Sequence, residues 1–440
     1  MDVEGYARRN LERGRAPQDI ITDLADRIVE IKKINYEHAL NFAHAVLVEV
    51  QATSNLTADI LKYEKAGVSM GAFGVGSRGT GDFYAHRKIA EIIGTSGATV
   101  GVEDMDDAGV VQAGGQFIVC TVDGMHSRLS DFPYLAGFHV TRATLRDCYV
   151  MGARPVMLFS DIHVADDGDV AKIFDYTAGV TTVGELTGVP LVSGSTLRIG
   201  GDMVIGDRMT GCVGTVGVAE HITARRLAAD GDLLLMTEGA GGGTIATTAL
   251  YYGYHDVVDR TINLTFLRAA DKILSSDLLG SIHAMTDVTN GGLRGDVHEM
   301  AKTAGLRFVV IEDTVQDLVD PMVYRMLMDL EIDPLGVSLD AMLIIAPPDV
   351  IYQVQSLLSG IGVKSLVVGK VEAGTPEPVL IRDGKEEPFN PRFREAAYTP
   401  LKKLVEKEQQ DFEMMTQKVD HAAKAAIAKK ERVIQKLSGK

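Results

Sequence analysis

Tryptophan is absent from the 440-residue chain, and cysteine is reduced to Cys120, Cys148 and Cys212. The three share no short ligand spacing, so they suggest neither a disulfide framework nor a thiolate metal centre. Cys120 and Cys212 lie in apolar or small-residue runs, which predicts buried free thiols. No run of 18 apolar residues offers a membrane span. The opening Met1-Asp2-Val3-Glu4-Gly5 has no apolar signal core, so a cytoplasmic, reducing location is expected. Positive charge is also scarce. With 44 Lys/Arg against 60 Asp/Glu the net charge is −16, which argues against nucleic acid or an anionic membrane as partner. An anionic small molecule remains admissible where a metal ion carries the local positive charge.

What is present is an ordinary globular composition, 46% hydrophobic and 24% charged, long enough for two or three domains. Residues 1–66 read as a helical N-terminal extension. Ile20, Ile21, Leu24, Ile28 and Ile31 recur at helical spacing, a second helix covers Tyr36 to Gln51, and a third is expected through Tyr63. Residues 67–222 and 223–390 read as two α+β domains. The first has strands at 116–122, 156–160, 189–192 and 209–219, with helices at 137–151 and 169–187. The second has strands at 232–237, 282–286, 307–311, 341–346 and 364–371, with helices at 244–252, 262–279, 292–304 and 348–361. Residues 391–440 form a helical tail. There Val405, Phe412, Val419, Ala426 and Val433 recur every seven residues, and ten Lys/Arg face six Asp/Glu from residue 401 onward. The tail helix either packs on the chain's own N-terminal helices, the plainer expectation, or serves a protein partner.

The densest charge lies in Glu103-Asp104-Met105-Asp106-Asp107-Ala108-Gly109. Four carboxylates in five positions repel, and unless a cation sits among them their pKa values rise. Such a run is commonly a solvated loop. Here, however, Asp123 closes the next apolar run, Asp147 follows, and Asp287 opens Asp287-Val288-Thr289-Asn290-Gly291-Gly292. Together they suggest one oxygen-ligand site for magnesium and nucleotide phosphate. Upstream, Gly71 to Gly81 holds five glycines, and Gly74 to Gly79 satisfies G-x-G-x-x-G. No convincing strand precedes that match and no ribose-binding acid follows it, so a dinucleotide-dependent oxidoreductase fits poorly. The segment reads as a lid over phosphates or as a mobile linker. As a lid, Gly74, Gly76 and Gly79 would approach phosphate, with Arg78, His86, Arg87 and Lys88 the nearest cations.

Four motifs occur in order: Asp106-Asp107-Ala108-Gly109-Val110-Val111, Thr121-Val122-Asp123, Asp147 ahead of Met151-Gly152-Ala153-Arg154-Pro155, and Thr286-Asp287-Val288-Thr289-Asn290-Gly291-Gly292-Leu293. With Tyr63-Glu64-Lys65-Ala66-Gly67-Val68 they resemble the AIR synthetase (PurM-like) superfamily over roughly residues 63–385. Its members include thiamine-monophosphate kinase, selenophosphate synthetase and the maturation protein HypE. The resemblance implies an α+β, PurM-like two-domain fold: an N-terminal dimer-barrel domain plus a C-terminal α+β domain, here with helical extensions at both ends. It implies a homodimer, ATP and Mg²⁺ as cofactors, and γ-phosphoryl transfer to a small-molecule substrate.

On that basis Asp106, Asp107, Asp123 and Asp147 are expected metal ligands, with Asp123 and Asp147 also closest to the chemistry. Asp287, Asn290, Gly291 and Gly292 are expected on the substrate side, where a helix N-terminus suits an anion. A strand-end turn for Asp123, an ion pair with Arg146 for Asp147 and an N-cap for Asn290 are the structural alternatives. An all-oxygen donor set without Cys or His fits hard Mg²⁺, and phosphoryl transfer needs chiefly positioning and charge neutralisation. The family pattern is broken at Ser193-Gly194-Ser195-Thr196, where Ser195 replaces an acidic residue; Asp202 and Asp207 are nearby acids that could compensate. An ATP- and Mg²⁺-dependent phosphotransferase or synthetase is expected. The alternative is a non-catalytic nucleotide-binding maturation or scaffold protein related to HypE.

Overall fold

The computed structural model describes all residues except 78, 290, 396–397, 407–410 and 439–440. The expectations for Arg78 and Asn290 therefore lie outside the described residues.

The chain opens with helices α1 (Val3–Glu12), α2 (Pro17–Lys32) and α3 (Tyr36–Ala52). Asp2 and Asn35 cap α1 and α3 by accepting from Gly5 and His38 backbone N–H groups. The predicted stripe Ile20, Ile21, Leu24 and Ile28 is buried against Ala39, Ala43, Val46 and Leu47 of α3 and against Ile205. Lys32 fixes this bundle to the rest of the protein through ion pairs with Asp166 and Asp167. The third predicted helix does not form. Only a single 3₁₀ turn, Asp59–Leu61, occurs there, and its Ile60 and Leu61 stay exposed, so no apolar face exists to hold a longer helix.

Helices α4 (Met70–Phe73) and α5 (Thr80–Ile93) replace the expected lid or linker. Gly81 sits in the first turn of α5, where a β-carbon would lie 1.8 Å from the Phe73 carbonyl oxygen. The glycine that weakens the helix signal is thus what lets α5 close on α4. The irregular backbone around residue 393 lies equally close: Thr80 N–H donates to Arg392 O at 2.9 Å, Glu395 N–H donates to Ser77 O at 3.1 Å, and Arg394 donates to Gly71 O at 2.6 Å.

The first sheet is built from β1 (Gly109–Ala113) and β2 (Gln116–Gly124), then, after α6 (Pro133–Val150), β3 (Arg154–Val164). Helix α7 (Ala171–Thr187), β4 (Leu191–Arg198) and β5 (Met209–Ala219) complete it. Strand order is β1-β2-β5-β3-β4, antiparallel except for the parallel β3/β4 pair. The second half contains β6 (Leu233–Thr237), α8 (Gly243–Tyr252), α9 (His255–Thr261), α10 (Thr265–Leu274), β7 (Ala284–Val288) and α11 (Gly292–Ala304). There follow β8 (Arg307–Ile311), α12 (Glu312–Gln316), α13 (Pro321–Asp329), β9 (Ala341–Ala346), α14 (Pro348–Ser359), β10 (Ser365–Glu372), β11 (Pro378–Arg382) and β12 (Lys385–Pro388). Its sheet runs β12-β11-β8-β10-β6-β9-β7. The helix expected at 262–279 covers only α10, because the Asn263 side chain accepts from Thr265 N–H and breaks the run from α9.

Helix α6 is buried on nearly every side. Its Phe138, Leu145 and Tyr149 share one core with Val180 of α7, Leu267 and Ile273 of α10, Ile351 of α14 and Ile344 of β9. One helix therefore welds the two sheets together and carries Arg142 and Arg146 into the interior, with the half-buried Asp147 beside them.

The tail forms α15 (Pro400–Glu406) and α16 (Phe412–Ser438). Helix α16 lies along α5 rather than along α1–α3. Phe412 stacks on Phe73 at 5.6 Å, Tyr84 donates to Asp420 at 2.6 Å, and Lys430 donates to the terminal carbonyl of Ile92 at 2.6 Å. No described helix is long and apolar enough to cross a membrane. Cys120 is exposed and Cys212 half-buried, against the expectation of two buried thiols, and only Cys148 is buried. Alternation along β2 turns Cys120 away from the core that Val119 and Thr121 enter.

Candidate functional site

A cavity of about 560 Å³ opens where the two halves meet. Its walls include Asp106, Asp107, Asp123, Asp147, Asp287, Asp296 and Glu299, so the acidic residues singled out from distant motifs do share one space. Asp106 and Asp107 leave the turn before β1, whose Met105 adopts the left-handed conformation (φ 53°). Asp123 stands near the end of β2, Asp147 near the end of α6 and Asp287 within β7.

Asp106, Asp107, Asp147, Asp287 and Asp296 each have a hydrogen-bonding neighbour that fixes them. Thr121 Oγ1 donates to Asp147 Oδ2 at 2.9 Å. Arg146 Nε donates to Asp287 Oδ2 at 3.1 Å, and Thr289 Oγ1 donates to Asp287 Oδ1 at 3.4 Å. Arg225 donates to Asp107 Oδ1 at 2.5 Å, and its backbone N–H donates to Asp106 Oδ2 at 2.9 Å. Thr289 N–H donates to Asp296 Oδ2 at 3.2 Å. Behind this layer, Asp340 (φ 57°) pairs with both Arg142 and Arg146 in a fully buried cluster.

The electrostatics follow from burial and crowding. Burial, then the charges of Asp123, Asp287 and Asp107, push Asp147 well above the usual carboxylate range. Burial raises Asp287 to about 6 despite the opposing Arg146 charge. Burial likewise raises Asp106 and Asp296, with Arg225 opposing in both. Two neutral histidines close the far wall. Burial drops His126 to about 3 and His139 well below its ordinary value. His126 is fixed between Thr247 Oγ1 at 3.0 Å and the Tyr398 hydroxyl at 2.7 Å.

Among the described residues, no group of three or more His, Cys, Asp or Glu side chains stands close enough to hold a metal ion unaided. The donor chemistry nevertheless fits Mg²⁺. Carboxylate oxygens from several elements line the cavity, their mutual repulsion bears heavily on Asp147, and Mg²⁺ ordinarily draws remaining ligands from water and substrate phosphates.

Several expected ligand contacts are absent from the cavity wall. Gly74 ends α4, Gly76 N–H donates to Asp82, and a β-carbon on Gly79 would lie 2.2 Å from Phe393 O; all three serve local packing. Lys88 turns to Glu91 and Asp420. Gly291 and Gly292 open α11, but Gly292 abuts the Leu335–Val337 backbone, with a β-carbon 2.4 Å from Leu335 O. Ser195 lies on the exposed edge strand β4, away from the cavity. Asp202 and Asp207 pair with Arg198 and Lys172 instead of compensating for it. The residues missed from sequence are Arg225, Asp296, Asp340 and His126. Asp296, three residues beyond Leu293, and His126, three residues beyond Asp123, lay next to recognised motifs.

Comparison with known proteins agrees with this architecture. Residues 105–219 match the model for the N-terminal domain of AIR synthase related proteins, and residues 229–380 match that for the C-terminal domain. An uncharacterized protein of Methanocaldococcus jannaschii is 50% identical over 99% of this chain and 98% of its own. A selenide, water dikinase of Myxococcus xanthus is 31% identical over 50% of this chain, and the match spans 63% of that enzyme's length. Among solved structures, HypE in its complex with HypF superposes with a TM-score of 0.57 at 17% identity, covering 69% of this chain and 98% of HypE. ThiL complexed with AMPPCP and TMP gives 0.54 at 16% identity, covering 70% of this chain and 94% of ThiL. These structural likenesses speak for the fold alone. Two ordered domain matches over the two sheets, and a near full-length relative at half identity, place the chain in the AIR synthase related protein family, with its PurM-like two-domain fold.

Proposed function

We propose that the protein is an ATP- and Mg²⁺-dependent phosphotransferase or synthetase that activates an oxygen or similar group of a small molecule. The carrying observation is the convergence of Asp107, Asp123, Asp147 and Asp287 on one cavity from four separated motifs. The names of its relatives support the reading: a selenide, water dikinase, a HypE solved with ATP, and a ThiL solved with AMPPCP. Asp107, Asp123 and Asp147 are the side chains to hold Mg²⁺, with Asp106 beside them. Bound there, the ion would neutralise phosphate charge. Asp287, raised to about 6 and oriented by Arg146 and Thr289, suits the proton given up by the acceptor. The acceptor oxygen bonds to the γ-phosphorus as the bond to the β–γ bridging oxygen breaks, and ADP leaves with that electron pair.

The wider assignment is a cytoplasmic homodimer with segments 1–66, 67–222, 223–390 and 391–440. Val111, Val122 and Leu197 are exposed on the face of the first sheet opposite α6, and support pairing there. The tail, packed on α5, still exposes Ile434 and Leu437 for a protein partner. A second reading, a non-catalytic nucleotide-binding scaffold, is favoured by the lack of a finished three-ligand metal group among the described residues. Calorimetric titration with AMPPCP, with and without Mg²⁺, tests nucleotide binding. Mg²⁺-dependent ADP release on adding small metabolites then favours the enzyme, while binding without any release favours the scaffold.

A further inference from the structure

Arg225 occupies the middle of the acidic site without belonging to either sheet. It lies in the short turn Arg225–Leu227 between β5 and β6 and is buried. Its guanidinium reaches in both directions. Toward the first half it donates to Asp107 Oδ1 at 2.5 Å and to Met105 O at 3.0 Å. Toward the second half it donates to Thr286 Oγ1 at 2.8 Å and lies 3.8 Å from Asp296 Oδ1. Arg225 also lines the cavity. Yet its Nε is buried with no hydrogen-bond partner and stands 3.9 Å from Asp106 Oδ1. A buried arginine with an unmet donor is not in a fully satisfied resting place. It holds its position because the surrounding carboxylates demand a cation.

Building on the phosphoryl-transfer reading, we propose that Arg225 is the counter-ion of the acidic site whenever no divalent cation is bound, and that such a cation must take Asp107 from it to bind. Two cations compete for one carboxylate oxygen. The hard ion with several oxygen ligands prevails when phosphate oxygens accompany it, whereas alone it must overcome the existing charged hydrogen bond. Release of Asp107 also frees the guanidinium from Thr286 and lets it turn toward Asp296, on the β7–α11 side of the cavity. Cation binding is thereby linked to a contact spanning the two halves, and Arg225 acts as a positioning residue.

The test is Mn²⁺ binding to the full chain, followed by electron paramagnetic resonance of free Mn²⁺, for the native protein, Arg225→Met and Thr286→Val, each with and without AMPPCP. Circular dichroism monitors the fold. The proposal expects Arg225→Met to bind Mn²⁺ at least about tenfold more tightly without nucleotide, with a smaller gain once AMPPCP is present. Should that variant fail to fold, Thr286→Val, which removes only the 2.8 Å anchor, is expected to tighten Mn²⁺ binding by a few fold. Unchanged or weaker Mn²⁺ affinity in the folded variants overturns the proposal while leaving the phosphoryl-transfer reading intact. Absence of Mn²⁺ binding by every form, even with AMPPCP, overturns that reading and the proposal with it.

Discussion

The Thr121 hydroxyl donates a 2.9 Å hydrogen bond to Oδ2 of Asp147, joining β2 to the buried helix α6. The bond orients a carboxyl group that burial and three acidic neighbours hold well above its usual pKa. Burial and crowding thus favour its protonated form over the bare carboxylate. Asp147→Asn preserves shape and the contact with Thr121 but cannot supply a carboxylate ligand. The expected outcome is loss of Mg²⁺-dependent ATP turnover by about 100-fold or more, with unchanged circular dichroism and an undiminished Tm. Full turnover would remove Asp147 from the site.

Asp287 gives a pH dependence with a definite sign. Its folded pKa of about 6 exceeds the ordinary carboxylate value, so the folded state binds its proton more tightly than the unfolded state does. The resulting stability is present below about pH 4 and is lost as pH rises through 6, in total about 2–3 kcal/mol. In metal-free protein, the urea stability of Asp287→Asn relative to the native chain should therefore improve by that amount between pH 4 and pH 7. A difference that is flat with pH would contradict the burial argument.

Asp340 tests the foundation beneath the site. It is buried, adopts φ 57°, and pairs with Arg142 and Arg146. Asn tolerates the left-handed conformation, so Asp340→Asn isolates the loss of charge. Stranding two buried arginines should cost about 3–5 kcal/mol in urea unfolding. A loss under about 1 kcal/mol would show that Arg146 is positioned by other contacts.

The glycine segment separates packing from flexibility. A β-carbon on Gly81 would sit 1.8 Å from Phe73 O, whereas one on Gly71 would meet nothing within 4 Å. Gly81→Ala should destabilise by about 1–3 kcal/mol, while Gly71→Ala should be neutral or slightly stabilising. Equal effects at the two positions would return the segment to the role of a slack linker.

These residues also show how far sequence reaches. The Ile20–Ile28 stripe was legible as one buried periodic face, strand β2 as a short apolar run, and helix α6 by the Gly152 and Pro155 that follow it. Asp107, Asp123, Asp147 and Asp287 were legible because each lies in a compact motif. Helix α5 was hidden by Gly79 and Gly81, whose small size serves contacts with Phe393 and Phe73 that only the folded chain creates. Arg225 and Asp340 were hidden for a related reason. Arg225 meets Asp107 across 118 residues and Asp340 meets Arg146 across 194, with no local pattern announcing either pairing. Lys88 looked like a phosphate ligand by proximity to the glycines, but helical geometry turns it toward Asp420 of the tail.

A crystal structure of the chain with AMPPCP and Mg²⁺ tests most directly whether this acidic cavity takes magnesium and nucleotide phosphate. The expected result is Mg²⁺ on carboxylate oxygens of Asp107, Asp123 and Asp147, with the γ-phosphate directed toward Asp287. AMPPCP bound elsewhere, or bound with these aspartates uninvolved in any metal contact, would contradict it.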